Sequence, residues 1–251
     1  MTLLGYRVPM MASLILWCLL WEAIGRSGTV FILPPFSAVL ARIPELLAAP
    51  SWQGATLTTL RSFAAGMALA VLIGLPTGVL MGRSPAADRL LGMWVNLFAS
   101  APLSALVPVL MILFGLGETT VIVTVFLFAV WIIVLDTRAG VLHVPSSLIE
   151  MARSYGASAI AVLGKVIFWA ALPEILAGLR LGLIRGVKGV VVGQLLVAII
   201  GYGELFELYS RSFDMARFWA LTILLFAAAL ALSGLIGILE KQIAYYAGVR
   251  S

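Results

Sequence analysis

The sequence predicts an all-α, polytopic membrane protein of about six transmembrane helices, and three observations carry that prediction. Hydrophobic residues make up 63% of the 251 residues and charged ones 11%, against roughly 45–50% and about 25% for a soluble globular domain. At about 20 residues per crossing, the chain holds roughly six helices with short connections, a single transmembrane domain over residues 1–251. Finally, the longest polar interruption, Asp136 to Pro173, lies between two apolar runs and therefore belongs in water at a membrane face.

The first run spans about Pro9 to Gly25, and the absence of a small-x-small site before Phe31-Ile32-Leu33 favours a retained helix over a cleaved signal. Leu33-Pro34-Pro35 then leads into an amphipathic segment from Arg42 to Ala48. The second crossing, about Ala55 to Met81, carries Gly66, Ala70, Gly74 and Gly78 at intervals of four, which lets a neighbouring helix approach closely. A polar link from Arg83 to Arg89 follows. The third crossing, about Met93 to Phe114, contains Pro102 and Pro108, and a membrane helix broken by proline frees carbonyls that only protein or a wet cavity can satisfy. This break predicts a pathway wall. The fourth crossing, about Thr119 to Leu135, delivers the chain to the polar stretch.

That stretch reads as a short, stiff helix. Pro145 opens it, Ser147 and Glu150 have capping-box spacing, and Gly156 supplies the left-handed residue that ends it. A second segment with Ile160, Leu163, Ile167 and Phe168 at helical spacing runs on to a stop at Leu172-Pro173. The fifth crossing, about Glu174 to Ile200, places Gly178, Gly182, Gly186, Gly189 and Gly193 on one stripe, a tight-packing or sliding seam. Lys188 lies off the seam, roughly 20 Å along the helix from Glu174. Either it faces a pathway that admits an anionic or polar solute, or it pairs with a carbonyl, Asp136 or Glu174. Gly201-Tyr202-Gly203 and an amphipathic turn lead to the last crossing, about Phe218 to Leu239.

Several of these motifs carry a resemblance. Glu150-Met151-Ala152, then Gly156, then Leu172-Pro173, resembles the Glu-Ala-Ala loop of binding-protein-dependent ABC importer permeases, with Met151 where alanine is usual. The proline-rich segment before Val39-Leu40, Thr59-Leu60-Arg61 with Gly66, and the third crossing closing on Phe114-Gly115-Leu116-Gly117 are similar to the sulfonate, taurine and nitrate branch. Gly201-Tyr202-Gly203 resembles that branch's Gly-x-Gly-Tyr region with the order shifted. The likeness is strongest over a core of about residues 54–241.

The resemblance implies a type I ABC importer permease fold in which a cytoplasmic coupling loop, residues 137–173, docks on a separate ATPase through Glu150, Met151, Ala152, Arg153 and Gly156. It implies a pathway involving Pro102, Ser104, Lys188 and Gln194, the last standing beside Gly193 where relatives often carry Ala-Glu. The implied partners are two ATP-binding subunits, a second permease copy as a homodimer, an extracytoplasmic solute-binding protein and the lipid bilayer. The solute that the resemblance implies is a small anionic or polar organic compound, a sulfonate, taurine, nitrate or similar.

Other classes lack their parts. The net charge of +5 is scattered singly between apolar runs, which fits basic loops beside a bilayer and not nucleic acid. Cys18 and His143 are each the only residue of their type, leaving no metal site of histidine and cysteine and no hydrolytic triad. No phosphate-binding Gly-x-x-x-x-Gly-Lys-Ser/Thr loop occurs, so ATPase activity belongs to another subunit and no cofactor is expected. A secondary transporter is the rival reading, and for the polar stretch the rival is a basic loop resting on lipid headgroups.

Counting crossings places Arg7, Arg83, Arg89, Arg138, Arg153, Lys165, Lys241 and Arg250 on the side of the polar stretch, against Arg26, Arg42, Arg211 and Arg217 opposite. That excess predicts that the stretch and both termini lie in the cytoplasm, and the resemblance implies that the membrane is the inner one.

Overall fold

The computed structural model describes residues 2–3, 6–7, 10–197 and 199–248. Apart from a short antiparallel pairing of Thr2–Leu3 with Tyr6–Arg7, the described residues are helical or in turns. The helices are α1 (Met10–Ser27), α2 (Phe36–Ala48), α3 (Pro50–Arg83), α4 (Pro85–Ser100), α5 (Val107–Phe114) and α6 (Glu118–Leu142). After these come α7 (Ser146–Ser154), α8 (Ala159–Val162), α9 (Phe168–Val197), α10 (Gly201–Arg211) and α11 (Met215–Gly248).

The centre of the fold is α6, clasped between α3 and α9. Five of its residues, Val121, Val125, Val130, Ile133 and Val134, are almost wholly buried. In lipid, apolar side chains gain little by leaving their surroundings, so helix pairing depends on close van der Waals contact and small residues at the seam. Both neighbours supply them. A methyl group on Gly66 or Gly78 of α3 would come within 2.6 Å of Val125 Cβ or Thr137 Cβ, and one on Gly182 of α9 within 2.7 Å of Ile133 Cγ1. Gly178 rests on Asp136 in the same way and Gly186 on Met67 of α3, both at 2.7 Å, while Gly193 faces Thr124 at 3.3 Å. The expected seams are thus tight-packing surfaces.

Several expected boundaries move. The helix α6 continues past Leu135 to Leu142, so Asp136, Thr137 and Arg138 are helical and the exposed stretch begins at His143. The polar link after the second crossing shrinks to Ser84, whose hydroxyl caps α4 by accepting from the Ala87 N–H at 3.3 Å. The capping box expected from Ser147 and Glu150 does not form: Pro145, with φ −56° and ψ 130°, occupies the cap position of α7, and no side chain caps it. The helix also does not stop at Leu172-Pro173. A π-turn over Leu163–Ile167 joins α8 to α9, and Pro173 lies inside the continuous run Ala159–Val197.

Among the described residues three runs, Pro50–Arg83, Glu118–Leu142 and Ala159–Val197, are long and apolar enough to cross a membrane. A fourth is formed if Pro85–Ser100 and Leu103–Phe114 count as one crossing, broken by a 94° bend at Ala101-Pro102. The proline thus breaks the third crossing where the sequence predicts. Of the cations counted on the side of the polar stretch, Arg250 lies outside the described residues, as do the side chains of Arg7 and Lys241.

At the end opposite the polar stretch, Leu46 of α2, Ala55 of α3, Tyr202, Phe206 and Tyr209 of α10 and Leu221 of α11 form a second core. Arg217 bridges it on the outside, binding Asp214 at 2.9 Å and Glu45 of α2 at 3.4 Å.

Candidate functional site

Three features of the structure hold the residues singled out above, and the first is the exposed helix α7. Gly156, at φ +77°, closes it with both bonds of a Schellman motif: its own N–H donates to the Arg153 carbonyl at 2.9 Å, and the Ala157 N–H to Ala152 at 3.1 Å. On its inner face Ile149 and Ala152 pack on a cluster of Val141, Val144, Val162, Ile167, Ala171 and Ile175. That cluster joins the last turn of α6 to the first turns of α9.

On its outer face α7 presents Leu148, Met151 and Tyr155, at 37%, 52% and 88% exposure, along one helical stripe flanked by exposed Glu150 and Arg153. The five residues Glu150, Met151, Ala152, Arg153 and Gly156 therefore share one small knob, of which only Ala152 turns partly inward. Tyr155, the most exposed of the stripe, was invisible as a site residue because it follows the helix and belongs to no motif. One turn back on α6, Arg138 forms a two-pronged ion pair with Asp88 of α4; Nε donates to Oδ1, and Nη2 to Oδ2 at 2.7 Å.

The second feature is a cavity of about 750 Å³ between α9 and α11, floored by α6 and the 3-10 turn Leu103–Leu106 that follows the Pro102 break. Ser104 and Lys188 both line it, together with Phe128, Phe218, Trp219 and Thr222. Sequence spacing brings Ser104 and Lys188 to one place only through this fold, and the aromatic side chains from α6 and α11 gave no local signal. Among the described residues Lys188 makes no hydrogen bond or ion pair, so the pairing with Asp136 or Glu174 does not form.

The third feature is the junction of α9 and α10. Gln194 is 1% exposed and is not among the residues that line the large cavity. Its Oε1 accepts from the Thr59 hydroxyl of α3 at 3.0 Å and from the Tyr202 N–H at 3.2 Å. Gly201, at φ +59°, and Gly203 press directly on Gln194, leaving no room for a Cβ at either position. The Tyr202 hydroxyl meets the Thr56 hydroxyl at 2.8 Å, and burial pushes its phenol above the usual range, keeping it protonated at neutral pH. Pro102, by contrast, acts through the backbone break and places Ser104 beyond the bend.

Comparison with known proteins puts these features in context. Residues 70–245 match the family described as binding-protein-dependent transport system inner membrane component. The chain is 36% identical over 176 residues to the taurine transport system permease protein TauC of Escherichia coli, covering 68% of this chain and 64% of that protein. It is 32% identical over 195 residues to a probable ABC transporter permease protein of Brucella melitensis, covering 78% of this chain and 79% of that protein. Among solved structures it is similar to a chain of the MetNI methionine ABC transporter in an inward-facing conformation, with 24% identity and a TM-score of 0.63. That alignment covers 77% of this chain and 94% of the other, and at this identity the likeness speaks for the fold.

Proposed function

Because the chain belongs to the family of binding-protein-dependent transport system inner membrane components, we propose that it is the permease subunit of an ABC importer for a small anionic or polar organic solute. The observation that carries this reading is the knob. A helix of nine residues, fixed by a Schellman closure and backed by the α6 and α9 cluster, exposes an apolar stripe ringed by Glu150 and Arg153. Such a surface fits a groove on a partner, and its stiff backing hands displacement to α6 and α9. A loop that merely rests on headgroups needs neither.

In this reading ATP binding draws two separate ATPase subunits together beneath two permease copies, a homodimer, and shifts the population between inward-open and outward-open states. An extracytoplasmic solute-binding protein delivers the solute. The coupling loop, from His143 through α7 to Ser158, faces the cytoplasm together with both termini. The chain forms one transmembrane domain over residues 1–251, with its core at about 54–241. Six crossings result when α1 and α11 flank α3, the bent α4 and α5 pair, α6 and α9.

Ser104 and Lys188 line the pathway, Pro102 shapes its wall, and Gln194 positions it from behind. The taurine permease relative supports the sulfonate, taurine and nitrate branch. A secondary transporter would use membrane carboxylates to bind its coupling ion, and none lines the cavity among the described residues.

The test is ATP-driven uptake by cells or proteoliposomes carrying Glu150→Lys or Gly156→Asp. Both variants reach the membrane in normal amounts, while uptake falls about tenfold or more, on the scale of coupling energies between sites. Normal uptake by either one overturns the assignment of the docking surface.

A further inference from the structure

The cavity between α9 and α11 has an unusual division of labour among its polar groups. Its walls are almost entirely apolar, with Phe128, Phe218, Trp219 and Phe226 prominent. Two of its polar groups are already committed. The Trp219 indole N–H donates to the Ile32 carbonyl at 2.9 Å, and the Thr222 hydroxyl donates to the Phe218 carbonyl at 3.0 Å. What remains for a ligand is the Lys188 ammonium and the Ser104 hydroxyl, neither of which bonds to another described residue. No acidic side chain lines the space among the described residues.

We infer that this cavity binds an organic anion with one acidic group on an aromatic body, held by Lys188 and Ser104 at the acid and by the phenylalanine and tryptophan rings along the body. The inference rests on the reading of the cavity as part of the pathway and narrows its solute class. A carboxylate or sulfonate gains a charge-assisted hydrogen bond from Lys188, and a second bond from Ser104. A planar ring meets aromatic walls at their faces and edges, the arrangements such rings favour.

The same walls select against other anions. A zwitterion such as taurine brings an ammonium for which the lining offers no carboxylate, so its desolvation goes uncompensated. A small inorganic anion such as nitrate sheds water for one cation and leaves most of the apolar wall unfilled. Selectivity therefore comes as much from what the cavity lacks as from Lys188.

The experiment is fluorine NMR of para-fluorobenzenesulfonate titrated with the purified full chain in nanodiscs of neutral phosphatidylcholine. Saturable binding is expected, displaced by unlabelled benzenesulfonate and left intact by taurine and nitrate. Lys188→Met weakens it about tenfold, the loss of one charged hydrogen bond, and Lys188→Arg retains it. Absence of saturable binding, equal affinity in Lys188→Met, or equal displacement by taurine overturns the inference. So does abolition of binding by phosphatidylglycerol in the disc, which makes the occupant an anionic lipid. The knob variants read ATP coupling independently, so failure of ligand binding with uncoupled Glu150→Lys leaves the importer reading standing, and the converse result removes only the coupling surface.

Discussion

At Gln194 a single carboxamide oxygen serves two elements at once. The amino end of any helix leaves N–H groups without intrahelical partners, and Ile200, at the cap position of α10, has no side chain able to accept one. Gln194 does so from the preceding helix, taking the Tyr202 N–H. Gln194→Leu keeps the bulk and removes the acceptor. The Thr59 hydroxyl still has the Ala55 carbonyl at 2.8 Å, so the loss falls on Tyr202. The expected cost is about 1 kcal/mol, the usual worth of a cap, read as a lowered thermal midpoint in detergent by tryptophan fluorescence; an unchanged midpoint removes the cap. This role was hidden in the sequence, because it joins residues across a helix break and depends on two glycines that let α10 fold back. Gly156 was legible for the opposite reason: its left-handed backbone is a local need that glycine meets without strain. Ser147 misled because two serines follow Pro145, and spacing alone does not reveal that the proline already holds the extended conformation a cap requires.

The helices repeat this contrast on a larger scale. The glycine seams of α3 and α9 were readable, since residues at intervals of three and four share a face, but the helix they clasp was not. Buried on two sides, α6 is apolar all round and carries no periodic stripe to mark it as the centre. The start of α9 was misplaced for a related reason. Proline normally ends a helix because its ring crowds the preceding turn and it has no N–H to donate. Here the helix continues through exposed Pro173, a few residues after the π-turn Leu163–Ile167 has already loosened the ladder. Such interruptions survive in membrane helices where neighbours or water satisfy the freed carbonyls. Pro173→Ala therefore stabilises the chain, by up to about 3 kcal/mol, and raises its thermal midpoint. A lowered midpoint instead makes Pro173 a structural boundary, as its sequence context first implies.

Over the whole molecule, the two ends differ in how their cations are held. At the end bearing α2 and α10, each arginine counted has a carboxylate: Arg26 with Glu22, Arg42 with Glu45, Arg211 with Glu207, and Arg217 with Asp214 and Glu45. At the knob end only Arg138 is paired, while Arg83, Arg89, Arg153 and Lys165 have no ion pair among the described residues. The excess of basic residues sets orientation, and the unpaired cations leave the knob end the more positive, the arrangement favoured beside an anionic inner leaflet. Orientation and coupling stand together, because an ATPase reaches the knob only from the cytoplasm. Replacing Cys18 by serine removes the only native thiol, and Glu150→Cys then places a new one on the exposed face of α7. A membrane-impermeant maleimide is expected to modify this thiol in inside-out vesicles and to leave it untouched in intact cells. The reverse pattern puts the knob outside, where no ATPase meets it, and removes both the orientation and the mechanism built on it.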